Sequence, residues 1–327
     1  MANLFRITSE HPLVGCIAYG IIDRGTNLIQ IRPSSSCPLN CIFCSTDSGP
    51  FGKRKTNYEV ELNHLLAGLK EIAEYKNESL EAYIDSTGEP LTYPYIVDLV
   101  KGISKIKNYS TISLQTNGVL LTREKVDELK KAGLDRIDLS INSLIPDKAK
   151  LICGASSYDV EKIKDIAEYI AKSGIELVIT PVWVPDLNDE DIEPIIQFAK
   201  KTIHNKIYPI LGIQNFLKHK RGRKPKGVKE KPWKEFYTQL KVLEDKHNVK
   251  LILSPEDFGM RKVKSLPITI RKGEKVKVKI FAPGWMPGEM LATANARAIT
   301  VINCNAKIGS YKEVRIIENA NNLYLAR

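Results

Sequence analysis

The sequence predicts an α/β protein made of a partial (β/α)6 TIM-like barrel followed by a small all-β barrel. Strand-like and helix-like segments alternate up to about residue 215. The next stretch is strongly basic, and residues after about 266 alternate apolar and polar positions between Gly, Pro and Asn turns. In a chain of 327 residues, these observations predict one large domain and one smaller domain.

Six strands are predicted because six short segments are apolar, rich in β-branched residues and bounded by turn residues. They are NLIQIRP (27–33), LEAYIDS (80–86), STISLQT (110–116), RIDLSIN (136–142), IELVITPVW (175–183) and IYPILGI (207–213). Segments with apolar residues at helical spacing lie between them, which predicts a parallel sheet with the helices outside. A closed eight-fold barrel would need two more units, so we expect an open barrel.

The chain is predicted to have four parts. An N-terminal extension (1–26) precedes the partial barrel (27–215), and a basic segment with a helix and a strand (216–265) follows. Residues 266–327 suit a five-stranded barrel of OB-like type, because turn residues interrupt their alternating pattern at short intervals.

The positive charge is concentrated in the last third of the chain. Residues 1–211 carry 24 Lys and Arg against 28 Asp and Glu, whereas residues 212–327 carry 25 against 10. This asymmetry predicts a polyanionic partner, either nucleic acid or an anionic membrane surface. The alternative is a Lys-rich face that only improves solubility.

The apolar pattern does not indicate a membrane protein. The longest apolar runs, such as LVGCIAYGII, are shorter than the ~18 residues that a membrane span needs. The first residues lack a signal-peptide pattern, and the six cysteines are not arranged as a secreted disulfide framework. We therefore expect a cytoplasmic protein that does not bind a membrane.

Three cysteines, Cys37, Cys41 and Cys44, lie within eight residues directly after the first predicted barrel strand. In α/β barrels, active sites collect at the end of the barrel where the strands terminate. Thiolates favour iron–sulfur clusters, zinc or copper(I), and structural zinc normally takes four protein ligands. No fourth Cys or His lies nearby in the sequence. Three ligands on a cluster of four irons would leave one iron open for a substrate or cofactor.

The segment CPLNCIFC, with its CxxxCxxC spacing and Phe43 before the third cysteine, resembles the radical S-adenosylmethionine (SAM) superfamily. The resemblance implies that Cys37, Cys41 and Cys44 hold a 4Fe–4S cluster whose open iron binds SAM. It also implies reductive cleavage of SAM to methionine and a 5′-deoxyadenosyl radical, which abstracts a hydrogen atom from the substrate. Such chemistry needs an electron donor such as ferredoxin or flavodoxin.

Further segments extend the resemblance over residues ~27–215. YIDSTGEPLTYP is similar to the GGEP motif of the superfamily, with Thr87 in place of the first Gly. It implies that Gly88, Glu89 and Pro90 contact the amino group of SAM. The alternative is a plain turn with Glu89 near a helix N-terminus.

Two later segments resemble cofactor-contacting loops of the family. SLQTNG, which contains Gln115 and Asn117, is similar to its TNG segment, and DLSINS is similar to the segment that reaches the ribose of SAM. Ser140 and Asn142 alternate onto one face of the predicted strand, although polar capping of a strand end would also explain them. Gln214 and Asn215 are candidates for adenine or substrate contacts.

The other cysteines and the five histidines are not assigned catalytic roles. Cys16, Cys153 and Cys304 lie in apolar surroundings, and none has a basic neighbour that would lower its pKa, so we expect structural roles. The histidines show no metal-ligand spacing. The extra N-terminal cysteines of methylthiotransferases are missing, so we do not expect that subclass.

Residues 266–327 resemble a TRAM-type domain, which implies RNA binding through the basic region 216–327. Core positions are the favoured interpretation of Tyr311 and Tyr324, with stacking on bases as the alternative, and Trp285 is expected on an exposed turn. The function predicted is a radical SAM enzyme, a transferase or a related type, that modifies a nucleotide in RNA, with tRNA as the first candidate. The alternatives are a protein or small-metabolite substrate, or an RNA-binding protein with a structural metal site and no catalysis.

Overall fold

The computed structural model describes residues 2–327, which form two compact units. The first unit comprises residues up to 37, 48–112 and 261–327, and the second comprises residues 38–47 and 113–260. Within residues 2–327, no helix is both long enough and apolar enough to cross a bilayer.

Residues 2–327 contain 15 strands and seven α-helices, and the α/β class is confirmed. The strands are β1 (Asn3–Ile7), β2 (Gly20–Asp23), β3 (Leu28–Arg32), β4 (Thr56–Val60), β5 (Leu80–Ile84), β6 (Tyr109–Thr116), β7 (Arg136–Leu139), β8 (Glu176–Ile179), β9 (Val182–Trp183), β10 (Gln214–Asn215), β11 (Lys275–Pro283), β12 (Glu289–Ala294), β13 (Arg297–Ile302), β14 (Tyr311–Glu318) and β15 (Leu325–Ala326). The helices are α1 (Leu62–Lys76), α2 (Ile96–Ile103), α3 (Arg123–Ala132), α4 (Pro146–Cys153), α5 (Val160–Ser173), α6 (Ile192–Thr202) and α7 (Trp233–His247).

The main sheet has six strands in the order β2-β3-β5-β6-β7-β8. In the first unit, β3 pairs with β5 in parallel and with β2 in antiparallel orientation. In the second unit, β6, β7 and β8 are parallel, and their register aligns Thr116, Leu139 and Ile179. The loops that follow these three strands therefore begin at one edge of the sheet.

The sixth strand of the sheet is not the one that the sequence pattern predicts. IYPILGI (207–213) forms only an isolated bridge between Leu211 and Ile179, and the sixth strand is β2, from the predicted N-terminal extension. The physical reason lies in Glu176, whose carboxylate accepts hydrogen bonds from the backbone N–H groups of residues 206, 207 and 208. Because a side chain satisfies these N–H groups, they are not available for strand-to-strand hydrogen bonds.

The C-terminal residues form a closed barrel in the order β11-β12-β13-β15-β14, which confirms the predicted small all-β barrel. Its interior is apolar, and along β11 the buried Val278 and Ile280 alternate with exposed lysines. Tyr324 is buried in this core, so the alternative role in stacking on bases is wrong for it. Tyr311 is 64% exposed, so its predicted core position is wrong. Trp285 is buried rather than exposed on a turn.

The barrel is joined to the N-terminal residues of the first unit by backbone hydrogen bonds. Ala298 N donates to Val14 O over 2.8 Å, and Tyr324 N donates to Gly15 O over 3.0 Å. Gly15 has a φ of +129°, and a Cβ there would lie 2.0 Å from Ala298 O. Only glycine allows this close approach of two backbones.

Candidate functional site

The first part of the candidate site lies in the first unit, where residues 33–37 leave β3. Ser35 N donates to Tyr58 O over 3.0 Å, and Ser35 Oγ accepts from Tyr58 N over 2.7 Å. These bonds attach the segment to β4 just before Cys37, which is half-buried. The direction of the chain into the cysteine loop is therefore set by backbone contacts rather than by the thiols.

Gly88 and Glu89 lie directly against this segment. Glu89 N donates to Ser36 O over 2.7 Å, and a Cβ at Gly88 would lie 2.1 Å from the same oxygen. The Glu89 carboxylate is buried and accepts from Leu91 N over 3.0 Å, which caps the short helical turn that begins at Pro90. The structure thus brings the predicted Gly88–Pro90 motif next to the residue that precedes Cys37, and it requires glycine at position 88 for steric reasons.

Arg54 is a residue of this region that sequence reasoning missed. Its guanidinium is buried and donates to Ser35 O over 2.9 Å and to Thr87 O over 2.5 Å. It also lies 4.8 Å from the centroid of the Trp285 ring. One cation therefore joins the segment before Cys37 to the Thr87–Pro90 motif. The sequence FGKRK offers no signal for it, because its three basic residues look alike.

In the second unit, the cysteine loop runs along the C-terminal end of α4. Asn40 N donates to Cys153 O, and Ile42 N donates to Ile152 O, each over 3.0 Å. These two carbonyls belong to the last turn of α4, where helix carbonyls have no partner inside the helix. Gly154 follows with a φ of +60°, and a Cβ there would lie 2.1 Å from Asn40 O. The helix end and the loop therefore satisfy each other's backbone groups.

Cys41 and Cys153 are in direct contact through this arrangement. A hydrogen bond between their thiols, followed by burial, raises the pKa of Cys41 well above that of an ordinary thiol, and the positive charge of Arg223 opposes the rise. No disulfide joins any of the six cysteines, all of which lie within residues 2–327. Sequence reasoning did not anticipate that Cys153 lies beside a motif cysteine, because 112 residues of chain separate them.

The basic segment also reaches the cysteine loop within the second unit. Arg223 Nε donates to Cys41 O over 2.7 Å, and the guanidinium pairs with Asp47 Oδ1 at 3.0 Å. Phe43, which the resemblance places at the cofactor, packs against the apolar cluster formed by Val184, Phe216 and Val228.

The remaining predicted residues follow the strand ends of the second unit. Gln115 lies in β6 opposite Asp138, and Asn117 Oδ1 accepts from Val119 N over 3.1 Å, which closes a turn. Ser140 and Asn142 lie beyond β7, which ends at Leu139, so the expected strand alternation does not apply to them.

Hydrogen bonds fix two more of these side chains. Asn142 is buried, and its amide oxygen accepts from Val182 N over 2.9 Å, which leaves its amide nitrogen for any cofactor contact. Gln214 is exposed, and Asn215 donates through its amide to Lys231 O over 2.8 Å.

The donor set of the loop suits an iron–sulfur cluster. Cys37, Cys41 and Cys44 are half-buried thiols, and thiolates are the usual protein ligands of such clusters. Among residues 2–327, no group of three or more His, Cys, Asp and Glu side chains is arranged to hold a single metal ion. Thiolates that bind separate irons of one cluster do not need that arrangement.

Comparison with known proteins gives a consistent result. Residues 31–199 match the profile of the Radical SAM superfamily. An uncharacterized protein of Methanocaldococcus jannaschii is 42% identical over 343 aligned positions, which cover 98% of this chain and 79% of that protein. A GTP 3′,8-cyclase of Peptoclostridium acidaminophilum is 33% identical over 190 positions. That match covers 56% of this chain and 54% of the cyclase, so it spans about half of the relative's length.

A solved structure supports the fold alone. The crystal structure of SuiB from Streptococcus suis matches with a TM-score of 0.53 at 20% identity, over 68% of this chain and 47% of that chain. Radical SAM proteins use a 4Fe–4S cluster and S-adenosylmethionine. With the profile covering more than half of its residues, the chain belongs to the radical SAM superfamily.

Proposed function

We propose that Cys37, Cys41 and Cys44 bind a 4Fe–4S cluster and that the protein modifies a nucleotide in RNA, with tRNA as the first candidate. The observation that carries the proposal is the CxxxCxxC loop after β3, whose preceding residue Ser36 is bonded to the backbone of Glu89. With SAM bound, the cluster would supply the 5′-deoxyadenosyl radical that takes a hydrogen atom from the substrate. A ferredoxin or flavodoxin of the cytoplasm would provide the electron.

The residues of the chain bind and orient the cofactor in this proposal. Gly88, Glu89 and Pro90 would hold the amino group of SAM, because the missing side chain at position 88 lets this backbone lie against Ser36. The residues at the strand ends would contact the rest of the cofactor. They are Gln115, Asn117, Ser140 and Asn142, with Phe43 supporting the loop from its apolar cluster.

The outer face of the C-terminal barrel is the proposed RNA surface. Strands β11 and β14 pair in antiparallel register, and their outward side chains form the barrel basic face, defined by Lys275, Lys277, Lys279, Tyr311 and Arg315. Glu313 lies on the same side opposite Lys277 and pairs with Lys275 at 3.4 Å, so it compensates part of the positive charge. The Lys277 ammonium lies 5.1 Å from the centroid of the exposed Tyr311 ring. Cations beside an exposed aromatic ring suit phosphates and unstacked bases. The base would have to leave its stack to reach the catalytic residues.

The direct test is anaerobic reconstitution with iron and sulfide, followed by reaction with SAM, a reductant and unmodified tRNA. We expect 5′-deoxyadenosine, together with a nucleoside of changed mass after digestion, and neither product from Cys41→Ser. The triple variant Lys275→Gln, Lys277→Gln, Lys279→Gln should weaken tRNA binding and its salt dependence while keeping the cluster. A matched control changes Lys125, Lys164 and Lys241 instead, whose side chains are 35%, 30% and 55% exposed. Unchanged nucleosides in every RNA tested would contradict the RNA proposal.

A small nucleotide is the second candidate substrate, favoured by the 33% identity to a GTP 3′,8-cyclase over 56% of this chain. This candidate predicts that the barrel basic face variant leaves substrate turnover unchanged. Absence of methionine and 5′-deoxyadenosine under reducing conditions would instead favour an RNA-binding protein with a structural metal site.

A further inference from the structure

One arginine of the basic segment is directed onto the cysteine loop instead of into solvent. Arg223 Nε donates to Cys41 O over 2.7 Å, and its backbone N–H donates to Cys44 O over 2.8 Å. Its Nη1 donates to Asp47 Oδ1 over 3.0 Å. The Arg223 side chain is 21% exposed, whereas its neighbour Lys224 is an exposed residue. A single residue therefore holds the stretch from Cys41 to Asp47 at three points.

The backbone next to Arg223 makes an equally close contact. A Cβ at Gly222 would lie 2.8 Å from Cys44 O and 2.9 Å from Ser45 Cα. Real Cβ atoms are not found that close to backbone, so only glycine lets the segment lie here without displacing the loop. This steric fit does not depend on the hydrogen bonds of Arg223, and it involves the same Cys41–Asp47 stretch.

The Arg223 guanidinium brings a positive charge to the cysteine loop. Its partner Asp47 has a side chain that is 7% exposed, so the pair is poorly screened by solvent. A cluster gains negative charge when it is reduced. Groups around the ligands of a cluster, including hydrogen bonds and nearby charges, set its reduction potential.

We propose that Arg223 is a positioning residue of the cluster, which holds the Cys41–Asp47 stretch in its ligand-presenting conformation and favours the reduced cluster through its charge. The inference rests on the proposed function, because it requires Cys41 and Cys44 to be cluster ligands. It separates Arg223 from exposed cations of the basic segment such as Lys224, which remain available to an RNA. Arg223 variants should therefore leave tRNA affinity unchanged.

The test compares Arg223→Gln with Lys224→Gln, which makes the same change of charge one residue away at an exposed position. We expect Arg223→Gln to lose iron to a chelator roughly tenfold faster than wild type and to shift the midpoint potential to more negative values. Lys224→Gln should match wild type in both measurements. Arg223→Lys, which keeps the positive charge, should shift the midpoint potential less than Arg223→Gln does. Gly222→Ala should speed iron loss with a smaller shift of potential, because it displaces the loop but keeps the charge.

Hydrogen exchange can be measured on the wild-type protein, so this test does not depend on whether a variant folds. On reconstitution, peptides covering 38–47 and 219–228 should gain protection together, since the Arg223 amide is bonded to Cys44 O. Protection of 38–47 alone, or an Arg223→Gln variant that matches Lys224→Gln in iron loss and potential, would overturn the inference. A wild-type protein that takes up no cluster, or a Cys41→Ser variant that keeps it, would overturn the proposed function instead.

Discussion

The guanidinium of Arg54 lies 4.8 Å from the centroid of the Trp285 ring. The same guanidinium bonds the carbonyls of Ser35 and Thr87, and Trp285 belongs to the turn between β11 and β12 of the C-terminal barrel. Within the first unit, the barrel therefore supports the two segments from which cofactor contacts are proposed. Its role extends beyond the surface that it offers to a partner.

Replacing Trp285 should weaken the hold of Arg54 on the carbonyls of Ser35 and Thr87, although Trp285 is distant from both in the sequence. Trp285→Leu removes the ring beside a buried cation, so we expect a loss of about 2 kcal/mol in the free energy of unfolding and weaker SAM binding with iron content retained. Denaturant unfolding and calorimetric titration measure the two effects. Tyr311→Leu, at an exposed ring of the same barrel, should cost less than about 0.5 kcal/mol. Equal SAM affinity in Trp285→Leu and wild type would contradict the role.

The Cys153 thiol should tune the cluster without binding it. Once Cys41 is an iron-bound thiolate, the Cys153 S–H can donate a hydrogen bond to its sulfur, which favours the reduced cluster. We expect Cys153→Ala to shift the midpoint potential to more negative values. Cys153→Ser should cause a smaller shift, because its hydroxyl can still donate a hydrogen bond. Cys304→Ala, at another buried thiol, serves as the control. Iron loss as complete as in Cys41→Ser would show instead that Cys153 is a ligand.

The contact between α4 and the cysteine loop depends on Gly154. Its φ of +60° and a Cβ position 2.1 Å from Asn40 O make Gly154→Ala both strained and obstructed. Gly174 ends α5 in a similar conformation, with a φ of +82°, but the nearest atoms to its Cβ position are 3.8 Å away in the Lys130 side chain. Gly174→Ala should lose about 1 kcal/mol of stability, and Gly154→Ala should lose more, because a steric clash adds to the backbone strain.

Only Gly154→Ala should also lower the iron content after reconstitution, because only there is the loop displaced. Iron and sulfide analysis beside thermal unfolding separates the two effects. Similar iron content in both variants would indicate that the loop does not depend on the end of α4.

Gly88 tests the cofactor side of the site. A Cβ at this position would lie 2.1 Å from Ser36 O, so Gly88→Ala must push the Thr87–Glu89 backbone away from the segment before Cys37. We expect the cluster to form but SAM affinity to fall at least roughly tenfold, since the displaced backbone would carry the amino-group contact. Gly212→Ala is the control, because the nearest atom to its Cβ position is 3.4 Å away. Normal SAM cleavage by Gly88→Ala would contradict the assignment.

The sequence by itself determined those features that depend on neighbours along the chain. The spacing of Cys37, Cys41 and Cys44 predicts a cluster loop because ligands of one metal centre can come from a single turn. Five of the predicted strands follow from short apolar segments rich in β-branched residues, and the C-terminal barrel follows from alternation of apolar and polar residues. Each strand carries these patterns within itself. The need for glycine at position 88 could also be predicted from the sequence, since a Gly–Glu–Pro turn after a strand is a local pattern.

Only the tertiary structure decided which distant residues support that loop. Arg54 and Arg223 are ordinary members of basic stretches in the sequence, and Cys153 is an ordinary apolar-segment cysteine. Their roles come from backbone carbonyls and a thiol brought to them by chain folding, over separations of up to 182 residues. The limited pairing of residues 207–213 has the same origin, because the Glu176 carboxylate accepts hydrogen bonds from the backbone N–H groups of residues 206, 207 and 208. Periodicity records which face of an element is buried, but it does not record which distant backbone groups a polar side chain will meet.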